Sequence, residues 1–166
     1  MSTNEPEIAV PGPDDEPLEI PEIGRGVERV LIPVDGSPGS ERGMAYASLV
    51  AELTGAELIV VVAYDPPIAI RRKAGLLEVQ HERAEMEDEA SELAGEAVSL
   101  LTARGHAARG IVVRGDPAEA IIEIAERESP DLIVIGRRGL GRLKGLLVGS
   151  VSERVARHAE IPVLLV

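Results

Sequence analysis

Apolar residues gather in five short runs, and the segments between them carry helical spacing. Val30-Leu31-Ile32-Pro33-Val34 is the first run, and it stops at Asp35-Gly36. Ser37-Pro38 then reads as an N-cap followed by proline in the first turn. The helix so opened carries Met44, Ala47, Val50 and Ala51 on one face, and Gly55 ends it. Leu58 to Ala63 is continuously apolar, the pattern of a strand buried on both faces. Beyond Pro66-Pro67 a connector leads to a long helix, roughly 77–103. Its Met86, Ala90, Leu93, Ala97 and Leu100 recur at steps of four and three and form one stripe. Gly105 closes that helix, and Ile111-Val112-Val113 is the third strand. Asp116-Pro117-Ala118-Glu119 has the order of a capping box, N-cap, proline and an acid three residues on, for a helix running to about Glu128. Asp131 to Ile135 is the fourth strand, Val151 to His158 a last helix, and Val163 to Val166 the fifth strand. Strand–helix alternation with doubly buried strands predicts one α/β domain, a doubly wound, Rossmann-like parallel sheet of five strands with helices on both faces.

Residues 1–26 stand outside this pattern. Five prolines are spaced along them and seven acids face one base, so about half of the net charge of -12 sits there. Low hydrophobicity with many prolines predicts a disordered acidic tail ahead of a folded domain at 27–166. The 166 residues suffice for one full core. Tyr46 and Tyr64 are the only aromatic residues, so Leu, Ile, Val and Ala must fill that core. Few aromatics argue against single-stranded nucleic acid, which needs stacking platforms, and the negative charge argues against a duplex. Without cysteine there is no disulfide, thiolate nucleophile or thiolate metal site. No apolar run has the length of a membrane span, and the N-terminus has acids where a signal peptide has bases, so a cytoplasmic location is expected.

Candidate chemistry concentrates after the fourth strand. Gly136-Arg137-Arg138-Gly139, nine further residues and then Gly149-Ser150 join a strand end to a helix start. Glycines there let backbone N–H groups approach a ligand, and a helix N-terminus favours phosphate. The segment therefore reads as a nucleotide-phosphate cradle. In an open parallel sheet ligands bind beyond the carboxyl ends of strands, where the winding reverses. With the first and fourth strands as neighbours, Asp35 would face Gly149-Ser150 across that crevice. Its carboxylate could take a ribose hydroxyl, hold a magnesium ion bridging to phosphate, or simply bond its own downstream backbone as a turn residue. Ser150-Val151-Ser152-Glu153 is also a capping box, and a cap hydroxyl can still donate to phosphate. Arg142 and Lys144 are either phosphate contacts or solvated loop cations. His81, His106 and His158 are scattered without metal-site spacing, the Walker pattern is absent, and no poised general base is evident.

The ordered set Gly136-x2-Gly139-x9-Gly149-Ser150 resembles the signature of the ATP-binding branch of the universal stress protein family. Val30 to Ser37 is similar to that family's opening strand, and Asp131 to Gly136 with Val151 to Val163 to its closing segment, so the likeness runs from Glu28 to Val166. The resemblance implies a sheet of order 3-2-1-4-5, of the adenine nucleotide alpha hydrolase-like kind, and a homodimer built on the last strands. It places Pro33, Val34 and Asp35 on the adenine and ribose side, with Ala63 packing on adenine. Ile135, Gly136 and Gly139 would meet ribose and phosphate, and Gly149, Ser150, Val151 and Ser152 the phosphates. Ala63 and Arg137 depart from the larger aliphatic and the small hydroxyl residue common at those places. The function implied is an ATP-binding stress-response module, with or without Mg2+ and with other adenine nucleotides as alternative ligands. A slow ATP hydrolase and a nucleotide-free dimeric scaffold are the competing readings.

Overall fold

The computed structural model describes residues 26–65, 76–139 and 148–166, and side chains from 81 onward in the second helix. In chain order the elements are β1 (Arg29–Pro33), α1 (Pro38–Thr54), β2 (Glu57–Tyr64), α2 (Leu76–Ala103), β3 (Ala108–Arg114), α3 (Pro117–Glu128), β4 (Leu132–Ile135), α4 (Ser150–His158) and β5 (Val163–Leu165). The five strands form one sheet in the order β3-β2-β1-β4-β5, and every neighbouring pair is parallel. The expected tail, the connector after Pro66, and the loop with Arg142 and Lys144 lie outside the described residues.

Alternation of side chains along the strands divides the core in two. Val30, Ile32 and Val34 of the first strand and its exit, with Leu58, Val60 and Val62 of β2, face α1 and α2. Leu31, Ile59, Val61, Ile133 and Ile135 face α3 and α4, where Ile121, Ile124 and Val155 cover them. Leu31, Ile59 and Ile133 are completely enclosed, each contributing about 1.5–3 kcal/mol by burial. Small residues on α1 (Gly39, Ser40, Gly43, Ala47, Ser48 and Ala51) let it lie close on the sheet.

Two details differ from the sequence reading of the helices. On α2 the buried stripe is Ala90, Ala94, Ala97 and Leu101, whereas Leu100 is 58% exposed. Steps of four, three and four follow the 3.6-residue period more closely than a stripe passing through Leu100 does. On α4 the N-cap is Gly149 rather than Ser150, and no side chain caps it, so the helix begins at Ser150. At the other two sequence-identified starts, Ser37 accepts the Ser40 N–H and Asp116 accepts the N–H groups of Ala118 and Glu119. β3 is a sheet edge with no residue fully buried, unlike β2. Among the described residues no helix is long and apolar enough to cross a membrane.

Candidate functional site

The chain runs from β1 through α1 to one face of the sheet, and from β4 to α4 on the other. The reversal of winding therefore lies between β1 and β4, and beyond their carboxyl ends opens a cavity of about 410 Å³. That volume suits a small organic ligand. Pro33, Val34, Asp35, Ala63, Ile135, Gly136, Gly139, Gly149, Ser150, Val151 and Ser152, drawn from four separate stretches of sequence, all line it. Ser37, Ser40, Val61, Pro117, Ile121, Arg138 and Val148 line it as well. Arg138 and Val148 belong to the glycine-spaced segment, whereas Ser40, Val61, Pro117 and Ile121 were not anticipated as site residues. Pro117 read as the first residue of a capped helix, and only the sheet order brings the first turns of α3 and α4 to one opening.

Backbone proximity shapes the floor. A Cβ on Gly39 would overlap the carbonyl oxygen of Arg138, and one on Gly136 would overlap the carbonyl of Gly39. The first turn of α1 and the exit of β4 are thus in backbone contact. A Cβ on Gly139 would occupy the place of the Asp35 carboxylate Oδ2. The other oxygen, Oδ1, accepts the Ser37 N–H at 3.0 Å. Asp35 accordingly acts as a turn residue and faces Gly139 across the crevice at the same time.

The rim nearest α4 is built from backbone. The Gly149 N–H donates to the Arg137 carbonyl at 2.8 Å, and the Glu153 N–H donates to the Gly149 carbonyl at 2.9 Å as the first bond of the helix. The N–H groups of Ser150, Val151 and Ser152 precede that bond and have no acceptor within the helix. Ser152 is 3% exposed, and its hydroxyl donates to the Gly136 carbonyl at 2.9 Å, tying the helix start to the end of β4. Gly149 has φ -77, and a Cβ there would meet neighbours only at 3.5 Å or beyond, so neither backbone strain nor crowding demands glycine. The nearest atoms to such a Cβ are the Arg137 carbonyl oxygen, the Arg138 Cα and the Ser152 hydroxyl, at the edge of the cavity that Gly149 lines.

Charge around the opening is mixed. The α4 N-terminus carries a partial positive charge and Arg138 is exposed at the mouth, with the Asp35 carboxylate nearby. Next to it Asp116, the α3 N-cap, accepts from one outer nitrogen of Arg154 of α4: Nη1 lies 2.9 and 3.0 Å from the two Asp116 oxygens, while Nη2 reaches Glu119 at 3.1 Å. Partial desolvation works to raise the Asp116 pKa, but the N–H groups it accepts and the Arg154 guanidinium prevail and hold it below the usual carboxylate value. Glu119 therefore turns to Arg154, a partner far away in sequence that the capping-box pattern did not indicate. The arrangement offers an apolar slot, a carboxylate and a row of N–H donors, which suits an anionic ligand with an apolar body.

Comparison with known proteins agrees with this description. The model of the universal stress protein family matches residues 26–166. A universal stress protein of Thermus aquaticus, encoded in the 3' region of a QAH/OAS sulfhydrylase, is 38% identical over 137 residues, which is 82% of this chain and 96% of that protein. The solved structure of MJ0577, a universal stress protein of Methanocaldococcus jannaschii, superposes with a TM-score of 0.72 at 27% identity, covering 84% of this chain and 95% of that one. A universal stress protein solved in complex with cAMP superposes with a TM-score of 0.63 at 29% identity, over 84% and 97% of the two chains.

Proposed function

The chain belongs to the universal stress protein family, and on that premise we propose that it binds ATP in the crevice between β1 and β4 and reports nucleotide state to a partner. The observation that carries this reading is the first turn of α4, whose Ser150, Val151 and Ser152 N–H groups precede the first intrahelical bond and border a cavity of about 410 Å³. Pro33, Val34 and Ala63 supply an apolar surface for adenine, and Asp35 is placed to accept a ribose hydroxyl or to hold Mg2+ between itself and phosphate. The cAMP complex of the 29% identical relative supports the adenosine half of the proposal. The phosphate half rests on the α4 N-terminus and on Arg138. A cytoplasmic homodimer, paired through the outer edge of β5, completes the proposal.

Calorimetric titration of nucleotide-stripped protein with ATP in magnesium-containing buffer tests it. Saturable binding near one per chain is expected. Gly149 lines the cavity and a Cβ there meets only ordinary contacts, so in Gly149→Val affinity should fall about tenfold or more while the thermal midpoint stays near that of the native chain. Absence of saturation in the native protein, or unchanged affinity in the variant, overturns the assignment.

A further inference from the structure

We propose that Arg154 is a positioning residue for the phosphate side of the site, setting the first turn of α4 against the first turn of α3 through Asp116. This rests on the nucleotide reading above and extends it to a residue that does not line the cavity. The two helix starts are walls of one cavity: Pro117 and Ile121 come from α3, and Ser150, Val151 and Ser152 from α4. Arg154 stands one helical turn beyond Ser150. Its Nη1 is held between both oxygens of Asp116 at 2.9 and 3.0 Å, and its Nη2 by Glu119 at 3.1 Å. Asp116 is itself immobilised, because its Oδ1 accepts the N–H groups of Ala118 at 3.0 Å and Glu119 at 3.1 Å. The clamp thus joins the capping group of one helix to the first turn and a half of the other.

Two arguments make its purpose positional rather than a contribution to stability. Arg154 and Asp116 side chains are 43% and 40% exposed, and ion pairs with that much solvent contact contribute little to folding. A cation this close to a helix N-terminus also opposes the helix dipole, so helix electrostatics alone would disfavour arginine there. What guanidinium supplies is a planar, multi-donor fork that fixes direction as well as distance. N–H groups that bind phosphate depend on such fixed aim, since small displacements weaken every bond in the row together. The adenosine half of a ligand meets β1, β2 and β4 instead, and does not depend on the tilt of α4.

The test compares affinities for ATP and for adenosine, by calorimetry, in the native protein and in Arg154→Met, Arg154→Lys, Asp116→Asn and the Arg154→Met/Asp116→Asn double variant. Asparagine at 116 keeps an oxygen for the cap while losing the charge. Arg154→Met is expected to weaken ATP about tenfold with adenosine changed less than about twofold, the loss typical when the support of a binding group is removed. Arg154→Lys should fall between, Asp116→Asn should follow Arg154→Met, and the double variant should be no worse than the weaker single one, as for residues acting as a unit. ATP and adenosine falling together, or neither changing, would overturn the proposal. Loss of ATP in Arg154→Met with full retention in Asp116→Asn would also overturn it, making Arg154 a direct phosphate ligand. Should Arg154→Met not fold, the lysine and asparagine variants decide by the same ratio. A native protein that binds neither compound brings down the nucleotide reading itself, and this inference with it.

Discussion

At the residue scale, the glycines around the crevice divide by what surrounds them. Gly39 sits in the first turn of α1, where helix propensity by itself favours alanine by about 1 kcal/mol. Steric contact opposes this, because a Cβ there meets backbone, the Arg138 carbonyl, which cannot rotate away. Overpacking should win, and Gly39→Ala is expected to cost about 1–3 kcal/mol by urea denaturation. Gly149→Ala, with only ordinary contacts around its Cβ, should stay within about 0.5 kcal/mol of the native protein. A stabilised Gly39→Ala would show that α1 and the β4 exit do not touch as described. The sequence marked Gly149 and Gly136 through their spacing, and nothing in it singled out Gly39. Its partner is about a hundred positions along the chain, and only sheet order brings the two together.

At the scale of elements, two ion-pair clusters tie helices to what they pack against. Arg154 links α4 to α3 through Asp116, and Arg109 of β3 lies 3.1 Å from Glu57 of β2 and 2.7 Å from Glu128 at the end of α3. The hydrogen bond from Arg109, then that from Arg127, holds Glu128 below the usual glutamate value, and Asp116 is depressed as described above. The sign follows from linkage. A carboxylate with a lower pKa folded than unfolded adds stability above its unfolded pKa and loses it as pH falls through the folded one. Stability from these pairs should hold from neutrality to about pH 4 and decline below it. Urea midpoints of the native protein and Asp116→Asn should therefore differ only slightly at pH 7, by less than about 1 kcal/mol, and converge on acidification below about pH 4. A difference independent of pH would mean that the charge of Asp116 is immaterial to stability. The start of α3 was legible in Asp116-Pro117, since capping is local. Arg154 as its partner was not, since ion pairs between helices follow from packing.

At the scale of the whole molecule, β5 bonds to β4 on one side only, and Leu164 and Leu165 are each 37% exposed. The Pro162 carbonyl accepts from Ile133, and the Val166 N–H and carbonyl pair with Ile135 and Arg137. By alternation the Leu165 N–H points to the outer edge. In the proposed homodimer that edge is covered by the partner, which would answer the hazard of a free strand. Leu165→Pro removes an outward donor and leaves the β4 pairing in place, so light scattering should shift from a dimeric toward a monomeric mass with unchanged circular dichroism. A native monomer, or a variant that stays dimeric, would move the interface elsewhere. The end of β5 is tied to the start of α4 at the crevice, because Arg137 donates to the Val166 carbonyl and accepts from the Gly149 N–H.

The sequence by itself determined what depends on near neighbours along the chain. The five apolar runs, the α1 and α3 caps and the glycine stop at Gly55 all express backbone preferences and side-chain period, which act over a few residues. The spacing of the glycines singled out Gly136, Gly139, Gly149 and Ser150, and these do line one cavity. Tertiary structure decided what depends on residues far apart in sequence. It put Leu101 rather than Leu100 against the sheet, began α4 at Ser150 with Gly149 as its cap, and brought Gly39 onto Arg138 and Arg154 onto Asp116. Those outcomes come from parallel strands closing side by side in the order 3-2-1-4-5, which converts large separations in sequence into direct contact.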